Sequence, residues 1–137
     1  ATLWATTVGI PDAFTGLIVP GRERGTRAQL NFFLEADRDS VDLKRMALKY
    51  RAFWKFNRLG LHTARWDIQR FRVLTVTVSE GHRQSLREVA READDHGIGS
   101  PLFLFACEQA IRMDEPESIF AKIWQTPSDD TPVDLFG

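Results

Sequence analysis

One stretch constrains the fold more than any other: Leu30-Asn31-Phe32-Phe33-Leu34-Glu35-Ala36-Asp37, an apolar run that closes on two carboxylates. Side chains alternate across a strand with period two. Leu30, Phe32 and Leu34 therefore share one face, and Asn31, Phe33, Glu35 and Asp37 share the other. A strand built to be buried thus carries two acids at one end. A buried charge is costly unless a cation, a metal ion or water compensates it. The residues around this strand decide which of these applies.

The segment before it, Ala13 to Val19, reads as a strand, and the charged, glycine-bearing run Pro20 to Arg27 reads as a hairpin loop. Closing that hairpin between Val19 and Ala28 brings Asp12 opposite Glu35. Asp12, Glu35 and Asp37 then gather at one end of the hairpin. Residues 1–10 read as a strand or a lead-in, and Pro11 biases Ile10 towards extended geometry.

After the strand, Ser40 is a candidate N-cap with Asp42 in the first turn. From Val41 to about Arg58 the spacing is helical, and Leu43, Met46, Ala47, Tyr50, Phe53 and Trp54 form its apolar face. Lys49 flanks that face beside Phe53. Lys44, Arg51, Lys55 and Arg58 make a basic stripe on the opposite flank. Gly60 ends the helix or begins the connection, and Leu61 to Arg70 reads as a loop or short helix.

Phe71 to Val78 is rich in β-branched residues and suits a strand covered on both faces. Ser79 caps a helix over Glu80 to His96, with Leu86, Val89, Ala90 and Ala93 as its apolar stripe and Gly97 as its stop. Leu102 to Cys107 is a buried strand. Glu108 to Arg112 suggests a helical turn, Ile119 to Gln125 a strand or short helix, and the tail from Thr126 an irregular segment. The expected architecture is α/β: a mixed sheet with an antiparallel hairpin, followed by strand–helix–strand units.

The chain has 137 residues, 43% hydrophobic and 27% charged, which suits a single domain spanning 1–137. It begins with Ala1 rather than Met, pointing to a processed product or a piece of a longer chain. No apolar run reaches the ~20 residues of a membrane span, and no signal peptide is evident. A single cysteine, Cys107, excludes an internal disulfide and fits a reducing, cytoplasmic setting. A net charge of −1 lacks the overall basic signature of a dedicated nucleic-acid binder, so DNA contact has to come from a local patch.

Clustered carboxylates at a strand end make a hard oxygen site for magnesium or manganese, with Asp12, Glu35 and Asp37 as ligands. Such an ion stabilises charge on a phosphate and lowers the pKa of a bound water. Lys49 is placed to orient that water or to neutralise developing charge. Glycoside hydrolysis also uses two carboxylates, but no aromatic platform adjoins these acids. His62, His82 and His96 fit no zinc spacing. Ser79 and Ser85 near His82 make no triad, and Cys107 reads as core packing. Trp4, Trp54, Trp66 and Trp124 read as core or interface residues.

Several segments carry a family resemblance: Ile10-Pro11-Asp12-Ala13-Phe14, Phe32 to Arg38, Lys49-Tyr50-Arg51-Ala52-Phe53-Trp54, Phe71 to Thr77, and Ile123-Trp124-Gln125-Thr126-Pro127. Together they resemble the replication-relaxation family, associated with plasmid replication and DNA relaxation in mobile elements. The resemblance implies a restriction-endonuclease-like core similar to the PD-(D/E)xK nucleases, with Asp12 at the Pro-Asp position and Glu35 at the acid of the next strand. Where that pattern has lysine two residues after the acid, this chain has Asp37, and Lys49 is the substitute. Phe53 stands where family members tend to carry tyrosine. An N-terminal winged-helix domain is usual in the family, so the resemblance points to a fragment of a longer protein. The implied function is metal-dependent cleavage of DNA, catalysed through Asp12, Glu35, Asp37 and Lys49, with Lys44, Arg51, Lys55 and Arg58 contacting DNA phosphates. The alternative is a catalytically inactive module of the same fold that binds DNA or replication and mobilisation proteins. An edge strand left open for pairing gives a third expectation, self-association as a homodimer.

Overall fold

The computed structural model describes residues 13–20, 25, 27–37, 42–60 and 71–135, with 13–20, 27–30 and 37 described by their backbone path alone. The expectations for Asp12, Ser40, residues 1–10, and the 61–70 segment with His62 and Trp66 fall outside these residues.

Among the described residues, four strands form one sheet in the order β1-β2-β3-β4: β1 Ala13–Pro20, β2 Arg27–Asp37, β3 Arg72–Thr77 and β4 Phe103–Cys107. β1 runs antiparallel to β2, with Val19 opposite Ala28 and Ala13 opposite Leu34. β2, β3 and β4 are mutually parallel. Parallel neighbours need a crossover, and two helices supply it: α1 Leu43–Arg58 between β2 and β3, and α2 Glu80–Arg91 between β3 and β4. The protein is therefore a mixed α/β fold organised on three parallel strands.

Both helices lie on one face of the sheet. Phe33, Val73, Phe103 and Phe105 meet Met46, Tyr50, Phe53 and Phe56 of α1 and Leu86 and Ala90 of α2. Aromatic edges hold this layer: Phe33 meets Phe71 at 5.2 Å and 83°, and Tyr50 meets Phe103 at 5.0 Å and 63°. The opposite face, with Phe32, Leu74, Leu104 and Ala106, is covered by the C-terminal segment through Trp124 and Leu135. That segment also docks on the edge of β4, where Phe105 and Gln125 exchange both backbone hydrogen bonds at 2.9 Å.

Several local expectations need correction. The cap of α1 is Asp42, whose carboxylate accepts from the Lys44 backbone N–H at 2.9 Å. The buried face of α1 is rotated from the expected one. Ala52 and Phe56 point inward while Leu43 is 39% exposed, because the helix meets both the sheet and α2. α2 stops at Arg91, short of His96, and Gly97 is not its stop. Beyond it the Asp94 carboxylate gathers the backbone N–H groups of His96, Ile98 and Gly99, so the chain winds around a side chain instead of continuing the helix. Residues 119–125 divide between a 3₁₀ turn, Pro116–Phe120, and the extended Trp124 and Gln125. The tail carries structure too: Val133 pairs with Trp124, and Leu135 is buried.

Candidate functional site

The C-terminal ends of parallel strands are where an open α/β sheet presents side chains to a ligand. Here those ends carry Glu35 and Asp37 on β2, Thr75 and Thr77 on β3, and Cys107 on β4. Register places Glu35 beside Thr75, Asp37 beside Thr77, and Thr77 beside Cys107.

Glu35 follows Phe33 by two residues, so it falls on the helix-covered face. Lys49 reaches it from α1: its Nζ donates to Glu35 Oε2 at 2.9 Å, and the two side chains are 12% and 6% exposed. The helical periodicity that buries Tyr50 and Phe53 leaves Lys49 on the flank that meets the strand end. The structure thus puts Lys49 in direct contact with Glu35. Next to Lys49, the fully buried Tyr50 hydroxyl lies 2.8 Å from Thr75 Oγ1, which is also fully buried. Aromatic rings enclose this polar layer from below, with Tyr50 against Phe103 and Phe105.

A second polar cluster closes the end of the sheet. Thr77 Oγ1 donates to the Ser79 carbonyl at 3.1 Å, and Ser79 Oγ caps α2 by accepting from the His82 backbone N–H. The Cys107 thiol lies 3.5 Å from Glu80 Oε1 and 3.7 Å from Thr77 Oγ1. Burial lifts that thiol above its ordinary range, so it stays protonated and acts as a small packed group rather than a nucleophile.

Of the four candidate catalytic residues, the structure brings Glu35 and Lys49 together. Asp37 is placed by its backbone at the last position of β2, and Asp12 lies outside the described residues. A buried carboxylate oxygen is the hard donor that magnesium or manganese takes, and Asp37 follows on the same strand. Among the described residues, no group of three or more His, Cys, Asp or Glu is disposed to hold a metal ion.

The basic stripe divides into two parts. Lys44, Lys55 and Arg58 are exposed along the outer side of α1. Arg51 is committed internally: it donates to the Ala93 carbonyl and to Asp95 Oδ1, both at 2.7 Å, and ties α1 to the turn after α2. Arg51 and Arg58 both stack on Trp54, at 5.1 and 5.7 Å from its ring centre.

Residue-by-residue reading missed Arg87. Only 2% exposed, it donates to the Thr126 and Asp129 carbonyls, to Gln84 Oε1 and to Asp130 Oδ1, each at 2.9 Å. The available signal was its place beside Leu86 in the apolar stripe, together with the acidic tail able to receive it. The Tyr50–Thr75 pair was also missed, although Tyr50 is the one tyrosine in the chain and sits on a face otherwise lined with phenylalanine.

Comparison with known proteins returned no matching family model, no matching curated protein and no matching solved structure. No helix among the described residues is long and apolar enough to cross a membrane.

Proposed function

We propose that this chain is a metal-dependent nuclease-like domain acting on DNA, with a restriction-endonuclease-like core. The observation that carries the reading is the ion pair between Glu35 and Lys49, held out of water at the end of a parallel strand. An acid and an ammonium side by side at a sheet end is the arrangement that the implied PD-(D/E)xK-type cleavage uses. The resemblance to the replication-relaxation family supports the same assignment, and with it a cytoplasmic role in plasmid or mobile-element replication or relaxation.

On this reading Glu35, with Asp37 and Asp12, holds magnesium or manganese. Such an ion, held by these carboxylates, would supply a water of lowered pKa and charge stabilisation at a scissile phosphate. Lys49 sits 2.9 Å from the ligand carboxylate. From there its ammonium can hold the attacking water in line or neutralise the extra charge of the pentacovalent state. Lys44, Lys55 and Arg58 on the outer side of α1 contact backbone phosphates, which position DNA without reading its sequence. Arg51 contributes indirectly, since its Asp95 link fixes the stretch of α1 that carries Trp54.

A second reading has its own support. Lys49 already gives Glu35 a counter-charge, and position 37 carries an acid where the nuclease pattern has lysine. Both features suit a module of the same fold that binds DNA, a replication or mobilisation protein, or a second copy of itself without cutting.

The test is conversion of supercoiled plasmid to nicked or linear DNA with magnesium or manganese, using wild type, Glu35→Gln and Lys49→Met, alongside DNA binding measured over a range of salt. Cleavage by wild type that both substitutions abolish supports the enzyme. Binding without cleavage selects the module. If neither occurs, the DNA reading is overturned. Each phosphate contact removed among Lys44, Lys55 and Arg58 is expected to lower the salt slope of binding by about one.

A further inference from the structure

The two edges of the sheet are finished differently. At the β4 edge, Phe105, the middle residue of the strand, exchanges backbone hydrogen bonds with Gln125, so the C-terminal segment seals that side. β1 stands at the other end of the strand order, and among the described residues no strand pairs with its outer side. Its sequence, Ala-Phe-Thr-Gly-Leu-Ile-Val-Pro, holds no charged residue. Its ladder to β2 runs from Ala13 opposite Leu34 to Pro20 opposite Arg27 without a bulge. Natural sheets guard an edge with charges, bulges, short strands or proline. β1 has only Pro20, at its last position.

An edge strand is a row of backbone donors and acceptors that takes another strand. A sheet with two such edges adds copies without limit, whereas a sheet with one closes when two copies meet. The sealed β4 edge therefore favours a second copy of this chain as the occupant of the β1 edge. Two identical strands pair antiparallel about a two-fold axis normal to the sheet. That axis keeps every residue on its own face, so one residue lies opposite its own copy. Placing Gly16 there pairs all of Ala13 to Val19 and leaves out Pro20, which has no N–H to give. Thr15 then stands opposite Leu17, and Phe14 opposite Ile18, an aromatic residue across from a β-branched one.

We infer that β1 is a dimer interface, pairing antiparallel with the β1 of a second copy, with Gly16 on the two-fold axis. Two four-stranded sheets then become one continuous sheet whose outer edges are both the sealed β4 edge. This dimer gives the second-copy partner of the module reading above its interface, and rests on that reading.

The experiment is sedimentation velocity on the full chain from about 1 μM to about 1 mM, together with diamide oxidation of Gly16→Cys and Val19→Cys variants whose folding is checked by thermal melts. Wild type is expected to approach twice the monomer mass as concentration rises. Gly16→Cys is expected to link into a covalent dimer, because directly opposite residues of an antiparallel pair lie about 4.5–5.5 Å apart at Cα, within disulfide reach. Val19→Cys is expected to stay unlinked, its two copies lying about 20 Å apart along the strands. The native Cys107 is buried and adds no link. If Gly16→Cys does not fold, an equimolar mixture of Thr15→Cys and Leu17→Cys chains reads the same register. A monomer at every concentration overturns the interface and the second-copy reading together. A dimer in which the register-matched cysteines do not link, or link no faster than Val19→Cys, overturns the β1 interface and leaves that reading standing. Assemblies larger than two copies overturn closure through a single open edge.

Discussion

Replacing Lys49 with methionine isolates what the buried ion pair does for the fold. At 2.9 Å, two unit charges attract by about 6 kcal/mol at an effective dielectric near 20. Removing each from water costs several kcal/mol, so the intact pair is close to neutral in net stability. Lys49→Met removes the attraction and takes the Lys49 ammonium away from the Glu35 carboxylate, 6% exposed. The expected loss is about 3–5 kcal/mol, a large fraction of the ~5–15 kcal/mol that stabilises a domain. With a urea slope of about 2 kcal/mol/M, the unfolding midpoint drops by roughly 1.5–2.5 M. Adding Glu35→Leu to Lys49→Met removes the buried charge and recovers most of that loss, because the helix-covered face of the sheet is an apolar layer. Equilibrium urea unfolding of wild type, Lys49→Met, Glu35→Leu and the double variant completes the cycle. A single-variant loss below about 1 kcal/mol, or a double variant no more stable than Lys49→Met, refutes the claim that the pair is held away from water.

Two further outcomes follow from the described contacts. Arg87→Lys keeps the charge but cannot span the Thr126, Asp129 and Asp130 acceptors with one ammonium, so a loss of about 2–4 kcal/mol is expected in urea unfolding, and a change under about 0.5 kcal/mol would show the fork to be dispensable. At Asp94, burial alone would raise the carboxyl, but the backbone N–H groups of His96, Gly99, Ile98 and Gly97 outweigh it and hold the acid below its ordinary 3.8. A depressed folded value means the stabilisation is present above 3.8 and is lost as pH falls through the folded value. The stability gap between wild type and Asp94→Asn should therefore be open at about pH 6 and narrow towards about pH 3, and a gap independent of pH would show that the charge plays no part.

Much of the fold was legible because its signals are local. The β-branched run of β3 and the apolar run of β4 announced strands covered on both faces, and Ser79 announced a helix start. The face and ends of the helices were less legible. The inward turn of Phe56 and Ala52 depends on α1 meeting α2 as well as the sheet, which no single-helix pattern encodes. The end of α2 depends on Asp94 competing for backbone donors, and a stop signal at Gly97 was the weaker of the two. For the site, alternation along β2 and helical spacing along α1 sufficed to bring Glu35 and Lys49 together. The Tyr50–Thr75 contact was not legible in the same way, since it needs the lateral register of β2 against β3 and residues 25 positions apart.

The segment that ends near Leu135 has a consequence for how the protein is made. Trp124 and Leu135 cover one sheet face, and Gln125 occupies the edge of β4. During synthesis, the strands and both helices emerge first and can assemble the helix-covered layer, while Phe32, Leu74, Leu104 and Ala106 stay uncovered until residues 124–135 arrive. A nascent or prematurely terminated chain thus presents a bare apolar sheet face and an open strand edge together, the combination that recruits holdases or seeds aggregation. The strap carries its own backbone pair, Trp124 with Val133, and closes the open edge of β4 through Gln125.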